Sequence, residues 1–375
     1  MNFAVTEEQH QLEDSLRRLL SETNDFESRR RRLRAAAPDR LALWPRLAEL
    51  GVIGAAFDEA HGGFAGDPRT MAVVLAALGE SLAIEPFLAN AVIVGRILQR
   101  STANFALALT EDTIAGRHVC VLAHDAGANP FAAPGIAAKR DPDDAATLSG
   151  RLRCVRHADV AVSFLVPVTE HGDVAIYHIP RDAAGLSLSA YRLMDDAGGG
   201  DLEFDGVRAA STARLTFATG GDSGSGAADV LREALEWGVL GLAAEAAGIA
   251  RALNRATFSH LSTRRQFGVP LASFQALQHR AADMFIAAEE LTAAVNHAIE
   301  ALAGAAKAGR SQAVSAAKVM ADVAGRRIGH ESVQMHGGMG VSDELNVSHY
   351  ARRLAVMRAE LGDANTHRLR FAGMQ

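Results

Sequence analysis

Apolar residues recur through the first hundred positions at the three- and four-residue intervals of an amphipathic helix. Leu12, Leu16, Leu19 and Leu20 form one stripe, and Thr6 with Gln9 three residues later is a capping-box pattern in front of it. Pro38, Gly51, Gly54 and the turn His61-Gly62-Gly63 punctuate the next stretch, and residues 71–85 read as one alanine-rich buried helix ending near Pro86. From about Gly116 the period shortens. Residues 118–123, 146–155, 160–168, 174–179 and 202–204 alternate or are rich in β-formers, with Gly, Asp and Pro between them, and predict strands. Residues 219–227 read as a Gly/Ser linker. Helical spacing then returns: Leu231, Leu235, Leu242, Ile249 and Leu253 mark one stripe. Leu277, Phe285, Ala288, Leu291, Val295 and Leu302 mark a second, spaced like a long bundle helix. The pattern predicts an N-terminal all-α domain over 1–115, a middle β domain over 116–219 and a C-terminal helical bundle over 228–375.

Composition narrows the function classes. A chain of 375 residues has room for two or three domains, and 49% hydrophobic with 22% charged residues is ordinary for a globular protein. Abundant alanine with 5% aromatics favours close-packed helices over a large β core. A net charge of −6 argues against nucleic acid as the partner, which calls for a basic field. Cys120 and Cys154 offer neither a disulfide framework nor metal-ligand spacing, so a reducing, cytoplasmic setting is expected. No apolar run approaches the ~20 residues of a membrane span, and the N-terminal residues carry charge early, with no signal-peptide core. The run Arg29-Arg30-Arg31-Arg32, with Arg34, reads as a solvated helix face or helix end, with a patch for an anionic ligand as the alternative. No two of the fourteen histidines are paired at helical i, i+4 ligand spacing with a carboxylate, so no metal site is expected; His124, His157 and His171 read as surface or turn residues.

Two segments about seventy residues apart carry chemistry. In Arg264-Arg265-Gln266-Phe267-Gly268-Val269-Pro270-Leu271, followed by Phe274-Gln275, Arg264 supplies a permanent charge on a planar donor fork suited to a pyrophosphate. Phe267 offers a ring for an adenine, and Gly268 and Pro270 break the helix so that these side chains project. In Gln334-Met335-His336-Gly337-Gly338-Met339-Gly340, glycines at 337, 338 and 340 let backbone N–H groups approach a phosphate, and Gln334 can donate from its amide. His336 reads as a local packing or capping residue. The Gly221-Asp222-Ser223-Gly224 string matches a serine-protease nucleophile loop, but it lies in the linker with no histidine motif before it.

Together these segments resemble the flavin-binding signatures of the acyl-CoA dehydrogenase family, a resemblance that runs over essentially the whole chain. It implies an N-terminal α-helical domain, a middle β-barrel or sandwich and a C-terminal four-helix bundle. It also implies FAD as cofactor, with Arg264, Gln266, Phe267, Gln275, Gln334, Gly337, Gly338 and Gly340 gripping the ADP half of a flavin that belongs to the neighbouring subunit. The implied reaction is α,β-dehydrogenation of an acyl-CoA thioester, with an electron-transfer flavoprotein as acceptor.

Other parts of the family pattern are missing. The usual base position falls at Leu361, and an alternative base position on the helix after the linker falls near Gly238; neither residue takes a proton. Glu236, Glu245, Glu360 and Asp363 lie nearby, with Glu360 and Asp363 the candidates for a base after a local shift. The loop that holds the flavin ring in relatives is replaced by Leu122-Ala123-His124-Asp125-Ala126-Gly127-Ala128-Asn129, and no tryptophan stands around Val155-Arg156-His157-Ala158-Asp159. The chain is most similar to small subunits of heteromeric acyl-CoA dehydrogenases of the pimeloyl-CoA and steroid-side-chain type, which implies a second acyl-CoA dehydrogenase subunit in an α2β2 heterotetramer. Two alternatives stay open: a self-sufficient homotetramer using Glu360, Asp363 or Glu245, and a flavin-free scaffold.

Overall fold

The structure, a computed structural model, describes residues 6–35, 38–125, 129–218, 226–304 and 309–374. Helices α1 (Glu7–Thr23), α2 (Phe26–Leu33), α3 (Trp44–Glu49), α4 (Pro68–Glu80), α5 (Gly95–Gln99) and α6 (Ala106–Ile114) come first. Strands β1 (Cys120–Leu122), β2 (Ile136–Arg140), β3 (Ala146–Arg156), β4 (Ser163–Glu170), β5 (Asp173–Pro180), β6 (Leu186–Arg192) and β7 (Gly198–Ala209) come next. Helices α7 (Ala227–Thr263), α8 (Gln275–Ala303), α9 (Arg310–His336), α10 (Asn346–Met357) and α11 (Ala364–Phe371) close the chain, with a short ribbon, β8 (Arg265–Gln266) and β9 (Val269–Pro270), between α7 and α8. The succession of an N-terminal helical part, a central mixed sheet and a C-terminal helical part is the expected fold class. Among the described residues no helix is long and apolar enough to cross a membrane.

By mutual contact the chain divides into two compact units, each built from separated segments: Met1–Arg31, Ala72–Ala83 and Val239–Gln375 in one, Arg32–Met71 and Ile84–Gly238 in the other. The second unit holds the sheet, in the order β1-β4-β2-β3-β7-β6 with β5 added to β4. Strand β4 is its hub. β5 pairs antiparallel along its whole length, and β1 and β2 pair parallel with its two ends, at Cys120↔Ser163 and Ile136↔Val168. A strand covered in this way reads as a continuous apolar run, and Phe164, Leu165, Val166 and Val168 are fully buried. Strands β2 and β6 were not expected. Ile-Ala-Ala-Lys-Arg in β2 carries one β-branched residue, so its pairing is imposed by its neighbours. Leu186-Ser187-Leu188-Ser189 in β6 does alternate, a signal that was available.

In the first unit the capping box at Thr6 and Gln9 is formed: the Gln9 amide N–H donates to Thr6 Oγ1 at 3.3 Å and the Thr6 N–H to Gln9 Oε1 at 3.0 Å. Gly79 of α4 and Gly248 of α7 mark a backbone crossing. A Cβ at Gly248 would lie 2.0 Å from the Ala76 carbonyl oxygen, and one at Gly79 would lie 2.5 Å from that of Glu245. These contacts leave room for no side chain.

Three expectations need correcting. The helix expected over 71–85 ends at Glu80, because Leu82 adopts a left-handed conformation (φ +54°) and the N–H groups of Leu82 and Ala83 turn back to the carbonyls of Gly79 and Leu78. This is a Schellman closure without its usual glycine, and it leaves no signal in the sequence. The arginine run is solvated only in part: Arg31 and Arg34 are exposed, but Arg29 is buried, and its Nε donates to the Leu82 carbonyl at 2.8 Å. Phe285 does not belong to the buried stripe of α8. It is more than half exposed, and the inward face is Met284, Ala287, Ala288, Leu291, Val295 and Leu302. The predicted linker residues 219–225, including the Gly221 to Gly224 string, lie outside the described residues, as do 126–128.

Candidate functional site

Helix α7 ends at Thr263, and the chain reverses through the two-residue turn Phe267-Gly268, with φ +51° and +81°. Positive φ at both central residues is the geometry of a hairpin turn whose twist suits the flanking strands. Glycine adopts it freely; a phenylalanine does so under strain. The turn is held by the Leu271 N–H donating to the Arg264 carbonyl at 2.8 Å and by Arg265 Nη2 donating to the Gly268 carbonyl at 3.0 Å. Phe267 is 90% exposed and lies edge-on to Phe274, with 6.1 Å between ring centroids. A strained backbone that presents an aromatic ring to the outside is the arrangement expected of a contact residue. Arg264, Gln266 and Gln275 are likewise exposed.

The second segment ends α9. Gly337 takes φ +60°, ψ −141°, a conformation open to glycine alone, and the positions a Cβ would occupy at Gly337 and Gly338 have nothing within 4 Å. Space is therefore kept beside two exposed stretches of backbone, with the Gly337 N–H itself donating to the Gln334 carbonyl. Gly340 differs. It is buried, and a Cβ there would lie 2.3 Å from the Val333 carbonyl oxygen, so its missing side chain serves packing.

The two segments meet through a residue that neither motif contains. His260, one turn before Arg264, stacks on His336 with ring centroids 4.3 Å apart and planes at 28°. His336 Nδ1 is 2.8 Å from the Ser332 carbonyl, which fixes the ring at the end of α9. Burial, with the charges of His336 and Arg264, lowers the His260 pKa and favours the neutral stack. A histidine at the last turn of a helix, four residues before the arginine, is the signal that could have found it. Exposed donors, an outward ring and reserved space beside the glycine backbone fit the ADP half of a dinucleotide.

The position at which the resemblance expects a base is built differently. Leu361 is buried at φ +56° and Gly362 follows at +90°. Glu360 is buried, and Arg353 Nη1 donates to it at 2.8 Å. The other side of the same guanidinium forks onto Glu245, Nε and Nη2 donating at 2.7 and 2.8 Å. Lys318, also buried, donates from Nζ to the Met357 carbonyl at 2.8 Å and so ties down the end of α10 just before Glu360. Its pKa falls to about 8 through burial, opposed by Glu360 and Asp322. Asp363 caps α11, accepting from the Thr366 N–H at 2.8 Å, and that bond lowers its pKa. His367 Nε2 lies 2.9 Å from the Leu361 carbonyl oxygen. Each acidic neighbour of Leu361 thus has a structural partner.

In the sheet unit, a cavity of about 200 Å³ lies under the loop after β1, lined by Leu122, Ala123, His124, Asn129, Leu231 and Leu235 among others. The end of β3, where relatives place a tryptophan, is bulged, with Cys154 and His157 at positive φ. His157 is in a turn, as expected, but buried. Arg156 pairs with Asp195 at 2.9 Å and Arg40 with Asp159 at 3.3 Å. Ion pairs line this end of the sheet. Gly238 is buried on α7. Among the described residues no group of three or more His, Cys, Asp or Glu side chains could hold a metal ion.

Comparison with known proteins agrees with this geometry. Residues 6–105 match the family description "Acyl-CoA dehydrogenase, N-terminal domain" and residues 224–373 match "Acyl-CoA dehydrogenase, C-terminal domain". Acyl-CoA dehydrogenase FadE27 of Mycobacterium tuberculosis is 27% identical over 342 residues, covering 89% of this chain and 87% of its own length. A chain of a Tcur3481-Tcur3483 steroid ACAD variant superposes with TM-score 0.87 at 27% identity, over 98% of this chain and 97% of its own. A chain of the ChsE4-ChsE5 complex from Mycobacterium tuberculosis shares the fold, with TM-score 0.89 at 24% identity, over 100% of this chain and 98% of its own. The chain belongs to the acyl-CoA dehydrogenase family of FAD-dependent oxidoreductases.

Proposed function

We propose that this chain is one subunit of a two-component acyl-CoA dehydrogenase, and that it supplies the ADP-gripping half of an FAD site shared with a partner acyl-CoA dehydrogenase subunit. The observation that carries the reading is an asymmetry: the ADP motifs are exposed and preorganised, whereas the base position is a buried leucine. In this reading Arg264 meets the pyrophosphate with its donor fork, the Phe267 ring packs against the adenine, and the N–H groups around Gly337 and Gly338 approach a phosphate. Gln266, Gln275 and Gln334 donate from exposed amides. Bound flavin would take the β hydride of the acyl-CoA thioester and pass the electrons to an electron-transfer flavoprotein.

The α proton needs a desolvated carboxylate without a tight cationic partner. Glu360 is clamped by Arg353, and Asp363 is engaged by the helix it caps. The base therefore comes from the partner subunit. The similarity to a chain of a two-protein steroid ACAD supports both the heteromeric arrangement and a bulky acyl group.

The test is to purify the chain alone and together with an acyl-CoA dehydrogenase encoded beside it, and to record flavin absorbance per chain. A colourless lone chain with about one flavin per heterodimer is expected, and Arg264→Ala should remove that flavin. A yellow lone chain with one flavin per subunit and dehydrogenase activity would instead mean a self-sufficient enzyme.

A further inference from the structure

The helical unit that carries the cofactor motifs holds another cavity, of about 350 Å³, lined by the second half of α1, the start of α2, the end of α4, Arg255 of α7, and Asn346 and Tyr350 of α10. That volume lies within the range of small-molecule sites. Its floor is the carboxylate of Glu80, on which three guanidiniums converge: Arg17 at 2.7 Å, Arg251 at 3.0 Å and Arg255 at 3.3 Å. The Tyr350 hydroxyl donates to the Glu80 carbonyl and fixes the same residue from behind. Glu80 stays ionised: burial alone would raise its pKa, but the hydrogen bond from Arg17 and the charges of Arg251 and Arg17 bring it down to about 2.

The charges around the cavity are unequal. At or beside the cavity stand Arg17, Arg29, Arg251 and Arg255 with Glu13, Glu80 and Asp25, four positive against three negative, of which Arg251 and Glu13 lie behind the lining. Asp25 also accepts from the N–H groups of Glu27 and Ser28 at the start of α2. Arg255 is the outermost of the four: its side chain is 67% exposed and its contact with Glu80 is the longest of the three. Its planar fork therefore keeps donors for a second oxyanion. Asn346 adds an amide from α10, and Leu20, Phe26, Ala77 and Leu82 give the cavity an apolar wall.

We propose that this cavity binds a small organic anion, its phosphate or carboxylate head held by Arg255 and Asn346 and its apolar body against Leu20 and Phe26. The site is distinct in its residues from the FAD motifs. Isothermal titration of the full-length chain with adenosine 5′-monophosphate and with hexanoate tests it and separates the two head groups. At least one probe is expected to bind, with Arg255→Glu weakening it about tenfold or more. Ser21→Trp, which fills the mouth from α1, should block binding, and Arg264→Ala should leave it unchanged. Absence of binding by both probes, or binding lost in Arg264→Ala and kept in Arg255→Glu, would overturn the proposal.

Discussion

Two glycines in one motif, Gly338 and Gly340, have opposite reasons for being glycine. Gly338 faces empty space, whereas Gly340 lies under the Val333 carbonyl. Gly340→Ala is therefore expected to destabilise the chain by about 1–3 kcal/mol through overpacking, visible as a lowered melting temperature. Gly338→Ala should melt like the native chain and yet retain less flavin in the complex. Equal melting losses in both variants would contradict this division. The sequence showed that both positions lack side chains; only the packing of α9 tells which absence is internal. His367 makes a second residue-level case. Burial, with the charges of Lys318 and Arg370 and against the Leu361 carbonyl, lowers its pKa to about 4. It is neutral when folded but takes a proton below its ordinary 6.5 when unfolded. Its contribution to stability is thus complete above pH 6.5 and is lost as pH falls from there toward 4. A melting series over that window should decline in the native chain and less steeply in His367→Gln; parallel curves would refute the assignment.

Among elements, the α7–α10 contact shows where the sequence misleads. Glu245 and Glu360 each sit near a place where a catalytic carboxylate belongs, and one guanidinium from α10 claims both. Arg353→Leu is expected to cost about 3–5 kcal/mol by leaving two buried acids unpaired. Replacing all three with apolar residues should recover much of that loss, since a buried ion cluster is costly to desolvate. Urea midpoints of the single and triple variants decide the matter, and a mild single variant would mean that the acids relax to water. The apolar stripe of α7 was legible because a buried helix keeps its period. The stripe of α8 was not fully so: Phe285 and Ile286 both face outward, a choice set by which helix packs alongside. In the sheet, β3, β4, β5 and β7 are legible in β-rich runs, while β2 exists only because β3 and β4 flank it.

At the scale of the molecule, the order helix, sheet, helix was readable from hydrophobic period alone, and the family from two short motifs. The segmental make-up of the helical unit was not, because nothing local records that residues 72–83 belong with residues 239–375. Acid should also act on this unit as a whole. Glu80 has a folded pKa of about 2, below its ordinary 4.5, so its ion pairs stabilise fully above pH 4.5 and fade as pH falls toward 2. Glu80→Gln should flatten that part of the pH–stability curve, which chemical denaturation can follow where melting is irreversible; an unchanged curve would mean that the arginines stabilise without the charge.

The same segmental make-up bears on how the chain is born. Arg17 and Glu80 leave the ribosome early, whereas Arg251, Arg255 and Tyr350, which complete their surroundings, emerge much later. Synthesis proceeds at roughly 5–20 residues per second, so α1 and the end of α4 wait on the order of ten seconds or more for the helices that complete their surroundings. A nascent chain halted before α10 should therefore bind trigger-type chaperones and be cut by protease within α1, and the completed chain should resist both.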